Sequence, residues 1–235
     1  MEERPMRHEM KILISAAEYL ALRQRFRAVL AADSYAMEDG GYLIRSLYFD
    51  DLNDSAYHDK IAGVRDRKKY RIRIYNGSDT VIKLECKEKF GKFVSKRTAL
   101  LTRKVCDGII AGDWSGLYGR EEDVCKELLA KSAGEGMHPA VIVDYDREAY
   151  CYPVSKVRIT FDRNLRAAGF ESFDLFQPDL LGMGVFPNGS VILEIKYDTV
   201  IPAHVARLLP ASIGAPGAWS KYCLCADQLK RVKPV

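Results

Sequence analysis

The chain has 235 residues, 48% of them hydrophobic, which is enough for one sizeable core, and it reads as a single domain over 1–235. Lys and Arg total 36 against 32 Asp and Glu, a net charge of +4. That is too mild for a protein that coats nucleic acid with its whole surface, so any anion site must come from local clustering and nucleic acid is not an expected partner. The start MEERPMRHEM is charged where a signal peptide would be apolar, no apolar run approaches the roughly 18 residues of a membrane span, and the cysteines lack C-x-x-C spacing. Thiols of a reducing compartment and a soluble cytoplasmic protein are expected. His8, His58, His138 and His204 are scattered, which argues against a histidine metal site.

The segment RHEMKILI alternates, with Arg7, Glu9 and Lys11 on one face and His8, Met10, Ile12 and Ile14 on the other, the period of a strand. Ser15 and Glu18 form an S-x-x-E capping box, and Tyr19, Leu22, Phe26, Val29 and Leu30 recur at helical spacing, so a helix is expected to about Ala32. YLIRSLYFD (42–50) reads as a strand and 54–61 as a short helical or turn connection. Strands at about 68–75 and 81–90, a tight return at Phe90-Gly91-Lys92 and the strand FVSKRTAL form a meander of three. Helical patterns follow at about 102–111 and 120–132, then strands at 140–150 and 156–162. The region 163–189, rich in Gly and Pro, has no clean period, and long loops of this kind are often functional. A strand at 190–198 and helices near 202–210 and 219–231 close the chain.

Several of these strands repeat one pattern. Arg71 and Arg73 alternate with Ile72 and Ile74, and Lys83, Glu85, Lys87 and Lys89 oppose Ile82, Leu84 and Cys86. Lys156, Arg158, Thr160 and Asp162 oppose Val157, Ile159 and Phe161, while Glu194, Lys196 and Asp198 oppose Leu193, Ile195 and Tyr197. Any one of them fits a solvated sheet face. Together, on an open sheet, they would set like charges across strands and leave edges to be managed. Closure into an antiparallel β-barrel removes the edges and lets the ionic faces line an interior of water and ligand, so the expected class is α+β, an antiparallel barrel with flanking helices. Arg147 shares the parity of Val141 and Val143, and alternation does not place it on such a face. Crowding among like charges further implies that removing Arg71 or Arg73 leaves stability unchanged or raised.

Two stretches echo each other, Leu84-Glu85-Cys86-Lys87 and Leu193-Glu194-Ile195-Lys196. A carboxylate two residues from a lysine on one face fits an ion pair. It also fits a divalent metal held by one or two carboxylates and bridging phosphate oxygens. No G-x-x-x-x-G-K-[ST] loop and no D-F-G triplet occur, so phosphate binding would fall to side chains on strands.

SLYFDD (46–51), YHDKIAG (57–63), YRIRIY (70–75), KLECKEK (83–89), SKRT (95–98), VDYDREAY (143–150), VRITFD (157–162), LEIKYD (193–198) and SKY (220–222) occur in an order, over nearly the whole chain, that resembles the catalytic domain of vacuolar transporter chaperone (VTC) polyphosphate polymerases, within the CYTH or triphosphate tunnel metalloenzyme superfamily. The resemblance implies a basic tunnel that binds ATP and a growing polyphosphate. It implies phosphate contacts from Lys11, Lys60, Arg71, Arg73, Lys87, Lys96, Arg147, Arg158, Lys196 and Lys221, of which Arg71, Arg73, Arg147 and Lys87 would act in transfer. A divalent ion, Mn²⁺ or Mg²⁺, would sit on Glu194, with Glu85 as the other candidate. Lys60 stands where eukaryotic members carry the arginine of Y-x-x-R, which removes the bidentate fork. The E-x-E-x-K signature of many CYTH hydrolases corresponds to Arg7-His8-Glu9-Met10-Lys11, with one acid replaced by a base, which favours a VTC-like role over adenylate cyclase or thiamine-triphosphatase activity. The sensing and membrane modules of eukaryotic subunits have no counterpart here, so export of product would need a membrane-protein partner. A metal-dependent triphosphatase and a non-catalytic polyphosphate-binding module are the alternatives to a polymerase.

Overall fold

A computed structural model describes residues 8–33, 41–91, 93–170, 172–210 and 213–232. Arg7 and Lys92, both used above, lie outside the described residues.

The described strands are β1 (His8–Ile14), β2 (Ala31–Ala32), β3 (Gly41–Asp50), β4 (Arg67–Tyr75), β5 (Ser78–Phe90), β6 (Phe93–Leu101), β7 (His138–Tyr152), β8 (Val157–Ala168), β9 (Met183–Gly184) and β10 (Val191–Tyr197). The helices are α1 (Ala16–Val29), α2 (Ser55–Ile61), α3 (Arg103–Ile110), α4 (Asp123–Glu135), α5 (Ala203–Ala206) and α6 (Lys221–Val232). Hydrogen-bonded neighbours run β1-β10-β8-β7-β3-β4-β5-β6, with β2 on β7 and β9 on β8. The α+β class and the large antiparallel sheet follow the sequence pattern. The closure does not: among the described residues this order has two ends, β1 and β6, and no hydrogen-bonded ladder joins them.

The chain divides into two compact units, to which β3, β7 and β8 each contribute on both sides of the division. The first comprises Met1–Leu43, Tyr145–Leu165 and Phe186–Trp219. Its core packs Ile12 and Ile14 of β1 and Tyr19, Leu22 and Phe26 of α1 against Ile159, Phe161, Leu193 and Ile195. The helix starts where the capping box predicts. Ser15 Oγ accepts the Glu18 amide at 3.2 Å and Glu18 Oε2 accepts the Ser15 amide at 2.8 Å. Buried Glu148 of β7 ties α1 down by accepting from Tyr19 Oη at 2.8 Å, Arg23 Nε at 2.9 Å and the Tyr150 hydroxyl.

The second unit comprises Ile44–Asp144, Arg166–Val185 and Ser220–Val235. Its meander β4-β5-β6 forms in the register the alternation implies, burying Ile72, Ile74, Ile82, Leu84 and Cys86 with residues of α3 and α4. Gly136 ends α4 at φ 64°, a left-handed position where a Cβ would meet Leu52 Cγ at 2.7 Å. The expected long loop is shorter than it reads. β8 extends to Ala168, β9 pairs with it, and buried Arg45 holds the carbonyls of Leu175 at 3.1 Å and Gln177 at 2.6 Å. The six cysteines are unbridged, five buried and Cys151 half-buried. No described helix is long and apolar enough to cross a membrane.

The adjacent acids of SLYFDD serve the backbone. Asp50 accepts the amides of Asp51, Ala56 and Tyr57 at 2.8–3.0 Å and the Tyr222 hydroxyl, so one buried carboxylate fixes both the start of α2 and the face of α6. Burial and this bond push the Tyr222 phenol up. Asp50→Asn substitutes donors for acceptors in the network and is expected to lower stability by about 2–4 kcal/mol, read from urea midpoints at unchanged m-value. A loss within about 0.5 kcal/mol would show that the network does not hold α2 and α6.

Candidate functional site: two ionic sheet faces

In the second unit, register brings one set of polar side chains to a single face. Arg71 lies opposite Tyr48 and Glu85, Arg73 opposite Ser46 and Lys83, and Lys69 opposite Lys87, which is itself opposite Lys96. Six cations (Lys69, Arg71, Arg73, Lys83, Lys87 and Lys96) therefore surround one acid. Glu85 is 1% exposed, and its Oε2 accepts Arg71 Nε at 2.8 Å and pairs with Arg71 Nη2 at 2.6 Å. Its Oε1 accepts Lys96 Nζ at 2.8 Å, and Arg73 Nη1 stands 4.0 Å away. Burial pushes this carboxyl up, and the charges of Arg71, Arg73 and Lys96 overcome burial to hold it at about 2 against an ordinary 4.5.

Around this hub the supports are side chains the sequence reading did not single out. Arg73 Nε donates to Ser46 Oγ at 3.0 Å, and Arg71 Nη1 donates to Tyr48 Oη at 2.8 Å. The Tyr48 ring stacks on Tyr222 at 5.2 Å. Burial raises the Tyr48 phenol, but Arg71, Arg73 and Lys69 bring it down to about 8. Lys69 Nζ lies 4.8 Å from the Tyr222 ring centroid and 3.2 Å from Ser220 Oγ, and burial lowers its basicity. Lys60 on α2 is close enough to Lys69 to push it in the same direction. Lys221 opens α6, half-buried, next to Ser220. Lys69 and Tyr48 carried a signal, since 69-71-73 and 46-48 keep the strand period. Tyr222 did not, because its place depends on where α6 packs.

The first unit carries a second ionic face of different character. Lys11 lies opposite Glu194, Glu9 opposite Lys196, and Thr160 and Arg158 flank Glu194 and Lys196 on β8. Lys11 Nζ is 2.9 Å from Glu9 and 3.7 Å from Glu194, while Lys196 Nζ contacts Glu194 and is 3.8 Å from Glu9. Burial lowers the basicity of Lys196 against the pull of Glu194 and Glu9. Adjacent residues of β7 diverge: Glu148 goes to α1, whereas Arg147 grips Asp162 through Nε and Nη2 at 2.6 and 2.8 Å. Burial opposes the charge on Arg147, but Asp162 and Tyr145, with Glu194 adding to them, hold it well above its ordinary value. That settles which face Arg147 joins, which alternation left open. Arg158 is held by Asp33 and by Tyr42 Oη at 3.1 Å. Lys156, by contrast, is 76% exposed and pairs with Asp198 at 3.5 Å, off this face.

The two faces differ in balance. Among the described residues on these faces and bonded to them, four cations (Lys11, Arg147, Arg158, Lys196) meet four acids (Glu9, Asp33, Asp162, Glu194) in the first unit, whereas in the second the six cations named above share their face with Glu85. Among the described residues no group of three or more His, Cys, Asp and Glu side chains could hold a metal by themselves. The first face nonetheless fits an ion of the kind that takes one or two carboxylates and completes its shell with phosphate and water, and the Thr160 hydroxyl, buried beside Glu194, has no hydrogen-bond partner. Both acids are already paired, Glu194 with Lys196 and Lys11 and Glu85 with Arg71 and Lys96, and what sets Glu194 apart is the Thr160 hydroxyl beside it.

The pairing of Arg71 with Glu85 reverses the crowding argument: truncating either arginine strips a partner from a buried acid, so Arg71→Ala is expected to destabilise the protein. The pH dependence follows. A carboxyl whose folded value is depressed contributes stability that is present above 4.5 and lost as pH falls toward 2. The stability gap between the wild type and Glu85→Gln should therefore be widest near neutrality and shrink across that window, by roughly 3 kcal/mol at most. A gap independent of pH in urea titrations would refute this role for Glu85.

The family model described as VTC domain matches residues 6–230. No curated protein matches the chain. Among solved structures, a putative adenylate cyclase from Bacillus halodurans aligns with a TM-score of 0.50 at 12% identity, over 88% of this chain and 86% of that one, a likeness of fold alone. The PH1819 protein of Pyrococcus horikoshii OT3 aligns at 0.46 and 13% identity, over 94% and 99%. With nearly its whole length matched, and with Arg71, Arg73, Glu85 and Lys96 on one sheet face and Lys11, Glu194 and Lys196 on another, the chain belongs to the VTC domain family.

Proposed function

We propose that the protein is a metal-dependent polyphosphate polymerase that transfers the γ-phosphoryl group of ATP to a polyphosphate chain. The observation that carries this reading is the imbalance of the Glu85 face, where six cations, Arg73 buried, Lys96 exposed and the others half-buried, share one sheet face with a single buried carboxylate, Glu85. Such an excess of like charge is unfavourable by itself and becomes favourable when a polyanion lies on it. A triphosphate needs fewer contacts than this face offers, whereas a longer chain uses them all. Family membership supports the same substrate class.

In this reading a terminal oxygen of the chain attacks the γ-phosphorus, the bond from that phosphorus to the bridging oxygen breaks, and ADP leaves carrying the electron pair. The attacking phosphate is already largely deprotonated, so positioning and charge neutralisation are what the protein supplies. Arg71 and Arg73 grip phosphate oxygens, with Glu85 and Tyr48 fixing the direction of the Arg71 guanidinium. Lys87 and Lys96 guide the chain, and Lys60, Lys69 and Lys221 add positive field. In the other unit Arg147, locked by Asp162, and Lys11, Arg158 and Lys196 serve phosphate in the same way. Mn²⁺ or Mg²⁺ on Glu194 would neutralise charge on the triphosphate.

Glu194→Gln keeps size and removes the charge. Turnover should vanish while polyphosphate binding through the Glu85 face persists; loss of the charge that pairs Lys196 and Lys11 should lower the melting temperature without unfolding the protein at the assay temperature, and full activity in that variant would sink the assignment. Arg71→Ala and Arg73→Ala should each weaken triphosphate binding at least about tenfold, because charge-assisted hydrogen bonds are worth roughly 1.5–3 kcal/mol.

Primer dependence separates polymerase from hydrolase. Short polyphosphate added to ATP and Mn²⁺ should stimulate ATP consumption and be lengthened, and rising salt should suppress elongation more than nucleotide binding because more ion contacts are screened. Orthophosphate as the sole product, with short polyphosphate acting as a competitive inhibitor, would make the protein a triphosphatase. Binding without turnover would make it a polyphosphate-binding module.

A further inference from the structure

Phe90 and Phe93 oppose each other across the turn between β5 and β6, and both rings stand in solvent, 60% and 57% exposed, with Val94 beside them at 52%. Single exposed apolar residues need no explanation, but a contiguous aromatic pair at the tip of a hairpin does. The loop after α2 is bound to the same tip. Asp66 accepts the Gly91 amide at 2.8 Å, the Arg65 guanidinium lies 5.9 Å from the Phe90 ring centroid, and Val64 is exposed next to it.

The charge around the tip is positive in excess. Arg65, 76% exposed, Arg67 and Lys89 border the rings. The neighbouring acids are engaged: Asp66 by the Gly91 amide and by Arg65 at 3.8 Å, Glu88 by Lys68 at 3.4 Å and Arg97 at 3.7 Å. None of these features is used by the phosphate-binding reading.

We propose that the β5–β6 hairpin tip docks on an anionic lipid surface, with Phe90 and Phe93 entering the interfacial layer and Arg65, Lys89 and their neighbours meeting the headgroups. An apolar tip on the end strand of a sheet also suits a second copy of the chain added edge to edge. Self-pairing of β6, however, sets Lys96 and Arg97 of each copy near those of the other, and like charges across strands repel. An anionic bilayer attracts the same cations and accepts the rings, the pairing of apolar area with positive charge that peripheral membrane binding requires.

The test is sedimentation of the full chain with vesicles of phosphatidylcholine alone and of phosphatidylcholine with phosphatidylglycerol, at rising salt, with and without excess polyphosphate. Binding is expected on the anionic vesicles alone, weakened by salt, insensitive to polyphosphate, and at least about tenfold weaker for the double variant Phe90→Ser, Phe93→Ser. The substituted rings are exposed, so the melting curve of that variant should match the wild type. A Phe93→Trp variant should show a blue-shifted emission on anionic vesicles. The proposal is overturned if the wild type does not sediment, if the double variant binds equally, or if polyphosphate displaces the protein, which would assign lipid binding to the phosphate cations. A concentration-dependent dimer abolished by the serine substitutions would assign the tip to a second copy instead.

Discussion

The ionic sheet face of the second unit is organised around the carboxylate of Glu85. Two guanidinium groups and an ammonium converge there within 4.0 Å, although the side chain is 1% exposed. A buried acid among several cations does little for stability through net pairing energy, since desolvation takes back most of the attraction. Its value is geometric. Without it Arg71, Arg73 and Lys96 would diverge into whatever solvent they could reach, and with it they stay on one face in one arrangement while no ligand is bound. The surplus of positive charge is thereby tolerated rather than removed, the condition for strong and salt-sensitive attraction of a polyanion.

The first unit solves a related problem differently. Glu9, Lys11, Glu194 and Lys196 alternate in sign across two paired strands, so each charge has opposite neighbours and the face is close to neutral. The same L-E-x-K motif thus does two jobs. At Glu85 the neighbouring strand supplies arginines and the acid becomes a hub, whereas at Glu194 it supplies Lys11 and Thr160 and the acid remains a candidate cation ligand.

How much of this could be read in advance follows from the range of each interaction. Strand alternation is local, so the ionic faces of β4, β5 and β10, the meander and the capping box of α1 were legible. Antiparallel register then places Arg71 against Glu85 almost automatically once the hairpin is recognised. The expected closure of the sheet was not met, because whether β1 and β6 pair is a matter of curvature over the whole strand order, which no short pattern encodes, and among the described residues they do not. Arg45 shows another limit: with the parity of Leu47 and Phe49 it reads as a misfit on a core face, and it is explained by the buried carboxylate of Asp144 at 3.1 Å and the carbonyls of Leu175 and Gln177, all about 100 or more residues away. Arg147 likewise needed Asp162 on the next strand before its side could be assigned.

Tyr48 carries a consequence of its own. A phenol brought down to about 8, hydrogen-bonded to Arg71 at 2.8 Å, is a built-in anion in waiting. Once ionised it would rival any external anion for the same guanidinium, tethered and therefore present at high effective concentration. The pull of this arginine on any external anion is accordingly greatest where the phenol is still protonated and leaves the negative charge to be supplied from outside.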